Sequence, residues 1–498
     1  MVAAPPAQKK KGSTTLLFWG LVAFLLYGNG KALLQVARPT ALGCLLIGVA
    51  CMYPFYLWCD NKVKGIPVFP FFALTYLWTF CLPLLSENPN VLKYPPLAHL
   101  QAALSTVLFL ASGTAVWYPM VQGKKMSGPR RPLFSLKPDA ADNFFIAMTG
   151  VGALLNMYIM GGWKGIPDNL FTTVRGVVLG LSFLGIFVVA YRSGEGSISP
   201  QKQRIFFLCL VLNIISAAAT LILKTALTLF MLSIVAYLIG GRKLPVLPLL
   251  LGLVLLLPLH YGKHEMRALY MAPGSPPTVV QPWEYPAWFQ EWGTHALDNL
   301  NPKPKPRWAP EEEEKESFVE RSSVIHMLLM AQEKIPDSFP HLNGATYVIL
   351  PGMIVPRALN PNKLRTHEGT HMLNVHVKRQ TYEDTLRTTI AWGLLPEAYA
   401  NFGVPGCVFV GGLLGAFYGY VTRIGIGKPA FSFQTLFCIL VMSMALASTE
   451  WTAGVYVASL FQSSVPIVGI RLVFMKRQKT PPRLRPVPPV ALPGGAES

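Results

Sequence analysis

The chain has 498 residues, of which 52% are hydrophobic and only 13% charged, with a formal net charge of +19. Soluble domains usually carry about 25% charged residues, so the composition excludes an ordinary water-soluble fold and points to a chain solvated mainly by lipid. A positive balance is one mark of a nucleic-acid binder, but here Lys and Arg sit in short segments between apolar runs, as topology signals of membrane proteins do. No nucleic-acid partner is expected.

A membrane span needs roughly 20 apolar residues. In chain order such stretches fall at 14–34, 40–58, 66–86, 97–120, 142–162, 169–191, 204–222, 224–240, 244–261, 400–422, 430–449 and 452–472. The expected fold class is an all-α polytopic membrane protein with about 12 transmembrane helices. Gly28-Asn29-Gly30 interrupts the first stretch, and Lys9, Lys10 and Lys11 precede it. No small-residue cleavage site follows, so it reads as an uncleaved first helix. The break between the seventh and eighth stretches rests on Lys224 alone. The cysteines (Cys44, Cys51, Cys59, Cys81, Cys209, Cys407 and Cys438) form no CxxC pair and read as small core residues.

Charge orients the bundle. One set of connections holds Lys62 and Lys64; Lys124, Lys125, Arg130, Arg131 and Lys137; Arg192, Lys202 and Arg204; Arg242 and Lys243; Arg423 and Lys428. Both termini fall on that side, which the positive-inside rule makes cytoplasmic. The expected organisation is an N-terminal transmembrane bundle (1–262), a large non-cytoplasmic loop (263–399) with amphipathic or re-entrant segments, C-terminal transmembrane helices (400–473), and a disordered cytoplasmic tail (474–498), Pro-rich after Lys479.

Along the loop, residues 263–310 are rich in Pro and Trp, which suits a membrane interface. Glu311 to Glu314 with Glu316 form an acidic run. Ser317 to Lys334 has near-helical, amphipathic spacing, with Arg321 at its start and His326 as a surface or packing residue. Leu342 to Pro356 is apolar but too short to span, and reads as re-entrant or interfacial. Six cations follow within about thirty residues, Arg357, Lys363, Arg365, Lys378, Arg379 and Arg387, on the side where few are expected. Such a cluster needs an anionic partner, and Arg grips phosphate oxygens in a bidentate fork. Glu397 sits at the edge of the tenth span, where a carboxylate is costly unless paired or hydrated and is a functional candidate by default. Asn401 and Gly403 shape the helix entry.

His367-Glu368-Gly369-Thr370-His371 fits the H-E-x-x-H zinc pattern, in which two His one helical turn apart hold the metal and the Glu acts as base. Glu397 is the available third ligand. Against this, Gly369 and Thr370 weaken a helix, Pro361-Asn362-Lys363 does not prepare an apolar face, and His376 does not share a face with the pair.

The chain resembles the bacterial O-antigen and exopolysaccharide repeat-unit polymerases, the Wzy-type membrane glycosyltransferases. The resemblance lies in Glu320-Arg321, in Val355-Pro356-Arg357 followed by Asn360-Pro361-Asn362-Lys363, in His367-Glu368-Gly369-Thr370 with Leu373-Asn374, and in Gly393 through Glu397-Ala398-Tyr399-Ala400-Asn401-Phe402-Gly403. It covers roughly 90 residues of the chain, and Asn360-Pro361-Asn362-Lys363-Leu364 departs from a Trp-Pro-Asp-Lys-Pro-like run. The resemblance implies transfer of a growing glycan from undecaprenyl pyrophosphate to another lipid-linked repeat unit at the periplasmic face of the bacterial inner membrane, without cofactor or metal. Arg357 and Glu397 are then the expected catalytic residues. Arg321, Lys363, Arg365, Arg387 and Asn401 are expected to bind substrate, and His341 or His367 is the substitute base. The lipid bilayer, a chain-length regulator and a flippase are the further expected partners. A zinc-dependent membrane hydrolase, and a lipid-linked glycan transporter or ligase, are the alternative readings.

Overall fold

The computed structural model describes residues 13–122, 133–241, 243–271, 278–300, 322–355 and 363–478. Within hydrocarbon every backbone N–H and C=O must be satisfied inside the segment, which leaves the helix as the natural form for an apolar run. Among the described residues, twelve helices are long and apolar enough to cross a membrane: Thr14–Gln35, Arg38–Cys59, Val68–Leu85, Pro96–Val121, Pro138–Met160, Val174–Glu195, Pro200–Ala219, Leu223–Gly241, Val246–Tyr270, Leu394–Gly425, Phe433–Glu450 and Ala453–Val473. Leu250, Leu251, Val254 and many similar side chains are exposed on their outer faces. On a soluble protein so large an apolar surface would mark an interface; around a helix bundle it is the face that meets lipid. The architecture is all-α and polytopic.

Several boundaries differ from the sequence reading. The first span runs unbroken through Gly28-Asn29-Gly30, where the Asn29 amide donates to the Leu25 carbonyl at 3.0 Å. Glycine is better tolerated in membrane helices than in soluble ones. The seventh and eighth spans separate just before Lys224, at Leu221, whose φ is 57°; Lys224 then pairs with Glu450 at 2.7 Å. The tenth span begins six residues before the expected 400, at Leu394. Part of the expected disordered tail is ordered: Lys476–Gln478 forms a strand antiparallel to Leu133–Ser135.

With each helix as one crossing, the start of the first span and the end of the last lie at one end of the bundle, and the described residues between Met271 and Gly393 lie at the other. The terminal end is closed by charge pairing. Arg192 grips Asp142 through two hydrogen bonds of 2.8 and 3.1 Å and lies 4.8 Å from the Phe431 ring centroid. Arg471 lies between the rings of Phe134 and Phe433, at 4.7 and 4.8 Å.

Two prolines position the long connection. Pro83 has no N–H to give the Thr79 carbonyl four residues back, and the chain around it widens into a π turn at Leu77–Cys81. The Val324 N–H takes that carbonyl instead, at 2.8 Å. Pro405 likewise strands the Asn401 carbonyl, and Gly403 (φ 64°, ψ −151°) breaks the helix between them. That conformation is essentially open to glycine alone. The Ala400 and Asn401 carbonyls then accept from Leu342 and Asn343, both at 3.1 Å. Below the kink the tenth span packs tightly on the fourth: a Cβ at Gly411 or Gly415 would collide with the carbonyls of Phe109 or Gly113. Small residues allow such close backbone approach between membrane helices.

Candidate functional site

The site forms where the first turns of the tenth and last spans meet the long connection. Glu397 lies in the part of the tenth span above the Gly403 kink and is fully buried, with 0% exposure. Its Oε2 accepts the Ala453 N–H at 2.6 Å. Ala453 opens the last span, so the carboxylate caps the positive end of that helix dipole. Its Oε1 faces Thr346 and Gly369 and makes no hydrogen bond of ordinary length. A Cβ placed on Gly369 would lie 3.7 Å from it.

Asn401, one turn on, orders this pocket. Its amide donates to the Glu397 carbonyl at 2.8 Å and to the Thr346 hydroxyl at 2.9 Å, and its side-chain oxygen accepts the Gly344 N–H at 3.1 Å. The turn that offers this N–H needs left-handed backbone at Asn343 (φ 47°) and Gly344 (φ 89°). The apolar run read as re-entrant or interfacial folds here as two short helices, Ala345–Val348 and Leu350–Ile354. Tyr347 stacks on Phe402 at 6.1 Å. Burial, with the Glu397 carboxylate nearby, pushes the Tyr347 phenol well above its usual range.

The third wall is the helix Glu368–His376. Gly369 and Thr370 do not prevent it, because its face is docked: Thr370 and Thr452 hydroxyls meet at 3.0 Å, Trp392 donates to Asn374 at 2.9 Å, and Asn374 donates to the Ile390 carbonyl at 3.1 Å. Tertiary contact overrides weak propensity. Residues 366–371 thus lie across the start of the last span. The carbonyl of Thr366 would be 3.4 Å from a Cβ at Gly454.

His367 and His371 are one turn apart, joined by the His371 N–H to His367 carbonyl bond of 3.0 Å. Burial holds both imidazoles below their usual range; at His371 the Glu368 carboxylate, 4.0 Å from Nδ1, opposes this, while His367 and Arg365 reinforce it. The pair and Gly369 occupy nearly opposite faces, since each residue turns a helix by about 100°. Glu397 packs against the Gly369 face and so does not complete a ligand set with the two histidines. Among the described residues no three His, Cys, Asp or Glu side chains gather in a way that would hold a metal ion.

The structure therefore brings Glu397 and Asn401 together. Arg365 is exposed and Lys363 half-buried at the entry to the 366–371 segment. Arg321 and Arg357 lie outside the described residues, as does the acidic run at Glu311. Arg387 ends the short helix Tyr382–Arg387, and its side chain also lies outside what is described. His376 donates its Nε2–H to the Pro340 carbonyl at 2.8 Å, apart from the histidine pair. Thr346, Thr370, Thr452 and the Ala453 N–H complete the pocket and were not legible in the sequence, where a threonine carries no signal of a partner many residues distant. A separate cavity of about 560 Å³, lined by Phe18, Leu25, Cys44, Met52, Leu77 and Cys81 among others, holds none of these groups.

No family model, curated protein or solved structure matches the chain.

Proposed function

We propose that the chain is a polysaccharide polymerase that moves a growing glycan from its polyprenyl pyrophosphate carrier to a second lipid-linked repeat unit, on the non-cytoplasmic face of a bacterial inner membrane. The resemblance quoted above supports this reading. The observation that carries it is the buried Glu397 carboxylate, anchored through one oxygen on the last span and carrying no hydrogen bond of ordinary length on the other. A buried, half-satisfied carboxylate at the membrane boundary is a functional candidate rather than a packing group.

In the transfer, the acceptor hydroxyl oxygen bonds to the anomeric carbon as the bond from that carbon to the pyrophosphate oxygen breaks. The hydroxyl proton passes to Glu397 Oε1 as general base, and the pyrophosphate leaves with the bond's electron pair. Fixed cations stabilise the developing charge; Arg365 and Lys363 hold that place, with Arg321, Arg357 and Arg387 proposed beside them. Proton transfer needs an opening next to Gly369 when the acceptor binds. His367, on the opposite face of the helix from Gly369, is the substitute base in this reading.

Glu397→Gln tests the assignment because the amide oxygen still accepts from Ala453 while the base is gone. With purified protein and a synthetic lipid-linked repeat unit, the wild type should give a polymer ladder and the variant should lose on the order of 10²-fold or more in rate. A correctly folded variant with normal ladder growth would remove Glu397 from the chemistry. The one-turn stacking of His367 and His371 favours a second reading, a metal-dependent hydrolase. Stoichiometric zinc in the purified protein, together with no ladder from the wild type, would prefer it.

A further inference from the structure

Beyond the Glu397 pocket, the same end of the bundle holds a cation without a counterion. Arg379 follows the helix Glu368–His376, its N–H bonded to the Asn374 carbonyl at 2.9 Å. The side chain is half-buried, and burial pushes the guanidinium down from its usual range. It has five donors, yet among the described residues its side chain hydrogen-bonds from Nη1 to the Met327 sulfur, a weak acceptor. Among the described residues no carboxylate pairs with it. A charge taken out of water without a partner is strongly disfavoured.

One neighbour adds to the positive field and another responds to it. Lys93 lies exposed, its Nζ 5.0 Å from the Tyr94 ring. His326, next to Met327, contacts the Ser323 hydroxyl at 3.3 Å. Burial, then the charges of Arg379 and Lys93, lower His326 to about 4. Tyr94 is buried, and its hydroxyl reaches no partner within hydrogen-bond distance; burial and the nearby Glu333 push it up to about 12. Glu333 is exposed and supplies one negative charge against two positive ones.

We propose that Arg379, Lys93 and His326 form a second anion site, which holds the pyrophosphate of the acceptor substrate. This rests on the polymerase reading. Such a reaction involves two lipid pyrophosphates. The donor's is the leaving group and must sit at the reacting carbon. The acceptor's stays bonded to its own sugar and lies at the far end of the repeat unit from the attacking hydroxyl. It therefore needs a cationic site of its own, at the membrane surface and at least a sugar's length from the base. Arg379 and the Glu397 pocket flank opposite ends of the helix Glu368–His376, which is on the order of 13 Å long. The arginine fork suits diphosphate oxygens, and the Tyr94 hydroxyl is a further donor.

The full chain in phosphatidylcholine nanodiscs, titrated with farnesyl pyrophosphate, tests this. The wild type should bind two equivalents, and Arg379→Gln one. In the elongation assay Arg379→Gln should raise the acceptor KM at least tenfold with kcat unchanged, a split that general destabilisation would not give. Arg379→Lys keeps the charge and loses the fork, so it should raise KM less; it serves as the readout if the Gln variant does not fold. Lys164→Gln, an exposed cation on the same side, should change neither quantity. Unaltered stoichiometry and KM in both Arg379 variants would overturn the proposal. So would displacement of the second equivalent by phosphatidylglycerol nanodiscs, which would make the occupant a phospholipid headgroup. A wild type that binds two equivalents, loses one on Arg379→Gln and makes no polymer would sink the polymerase reading but leave the anion site standing.

Discussion

The two ends of the helix bundle treat the ionisable side chains packed into it differently. At the end with both termini, Arg192 has a bidentate carboxylate partner and an aromatic face, and Arg471 is held between two rings. At the end with the long connection, Oε1 of Glu397 and Nδ1 of His341 and His371 are buried without hydrogen bonds of ordinary length, and Arg379 lacks a counterion among the described residues. Buried polar groups are nearly always satisfied, and the exceptions need an explanation. The difference teaches where stability and where chemistry reside: among these packed groups, satisfied charges fasten one end, and unsatisfied ones leave bonding capacity for a ligand at the other. Locally inconsistent sites are expected where function lies.

The largest effect is expected at the end with both termini. Arg192→Ala leaves the nearly buried Asp142 carboxylate alone, and breaking such a pair costs about 3–5 kcal/mol. Thermal unfolding in detergent should show a large loss, while elongation per folded molecule stays at the wild-type value. A fall in specific activity equal to that in Glu397→Gln would erase the distinction between the ends.

At the other end, His326 makes stability depend on pH. Its native pKa is about 4, against an ordinary value near 6.5. Between these values the unfolded chain binds the proton and the native chain does not, so stability falls as pH drops through that window. The full difference is about 3 kcal/mol. His326→Gln should flatten the dependence of melting temperature on pH between about 6.5 and 4. An unchanged slope would mean that other groups set it.

The smallest effect is expected at the kink. Gly403→Ala forces a side chain into a backbone region nearly reserved for glycine, with His341 Cε1 3.3 Å from the new Cβ. The cost is on the order of 1–3 kcal/mol. Elongation should fall more than stability alone explains, because Glu397 and Asn401 sit on the turn above. A variant that lost stability but kept its rate per folded molecule would show that the kink does not position the site.

The membrane helices were legible because an apolar run of spanning length has few other fates: ten spans were placed within a few residues, while the ninth runs on to Tyr270 and the tenth begins early at Leu394. The break in the tenth was not, although Gly403 and Pro405 carry its physical cause. Glu397 was legible as a carboxylate out of place in lipid, and Asn401 as its neighbour. That Glu397 caps the last span was not, because the Ala453 N–H is a backbone group 56 residues away. Nor did Arg379 stand out among six loop cations; only its burial beside Met327 separates it from them.

The prolines at 83 and 405 have one more consequence. Each removes an amide, and each carbonyl so released is claimed by the main chain of the long connection, at Val324 and at Asn343. The connection is thus buttoned to the membrane body by atoms that every residue except proline possesses. Away from the left-handed turn at Asn343 and Gly344, its side chains can drift between related sequences without undoing those fastenings. In a distant relative, the two prolines would then be better landmarks for this architecture than any motif in the segment they hold down.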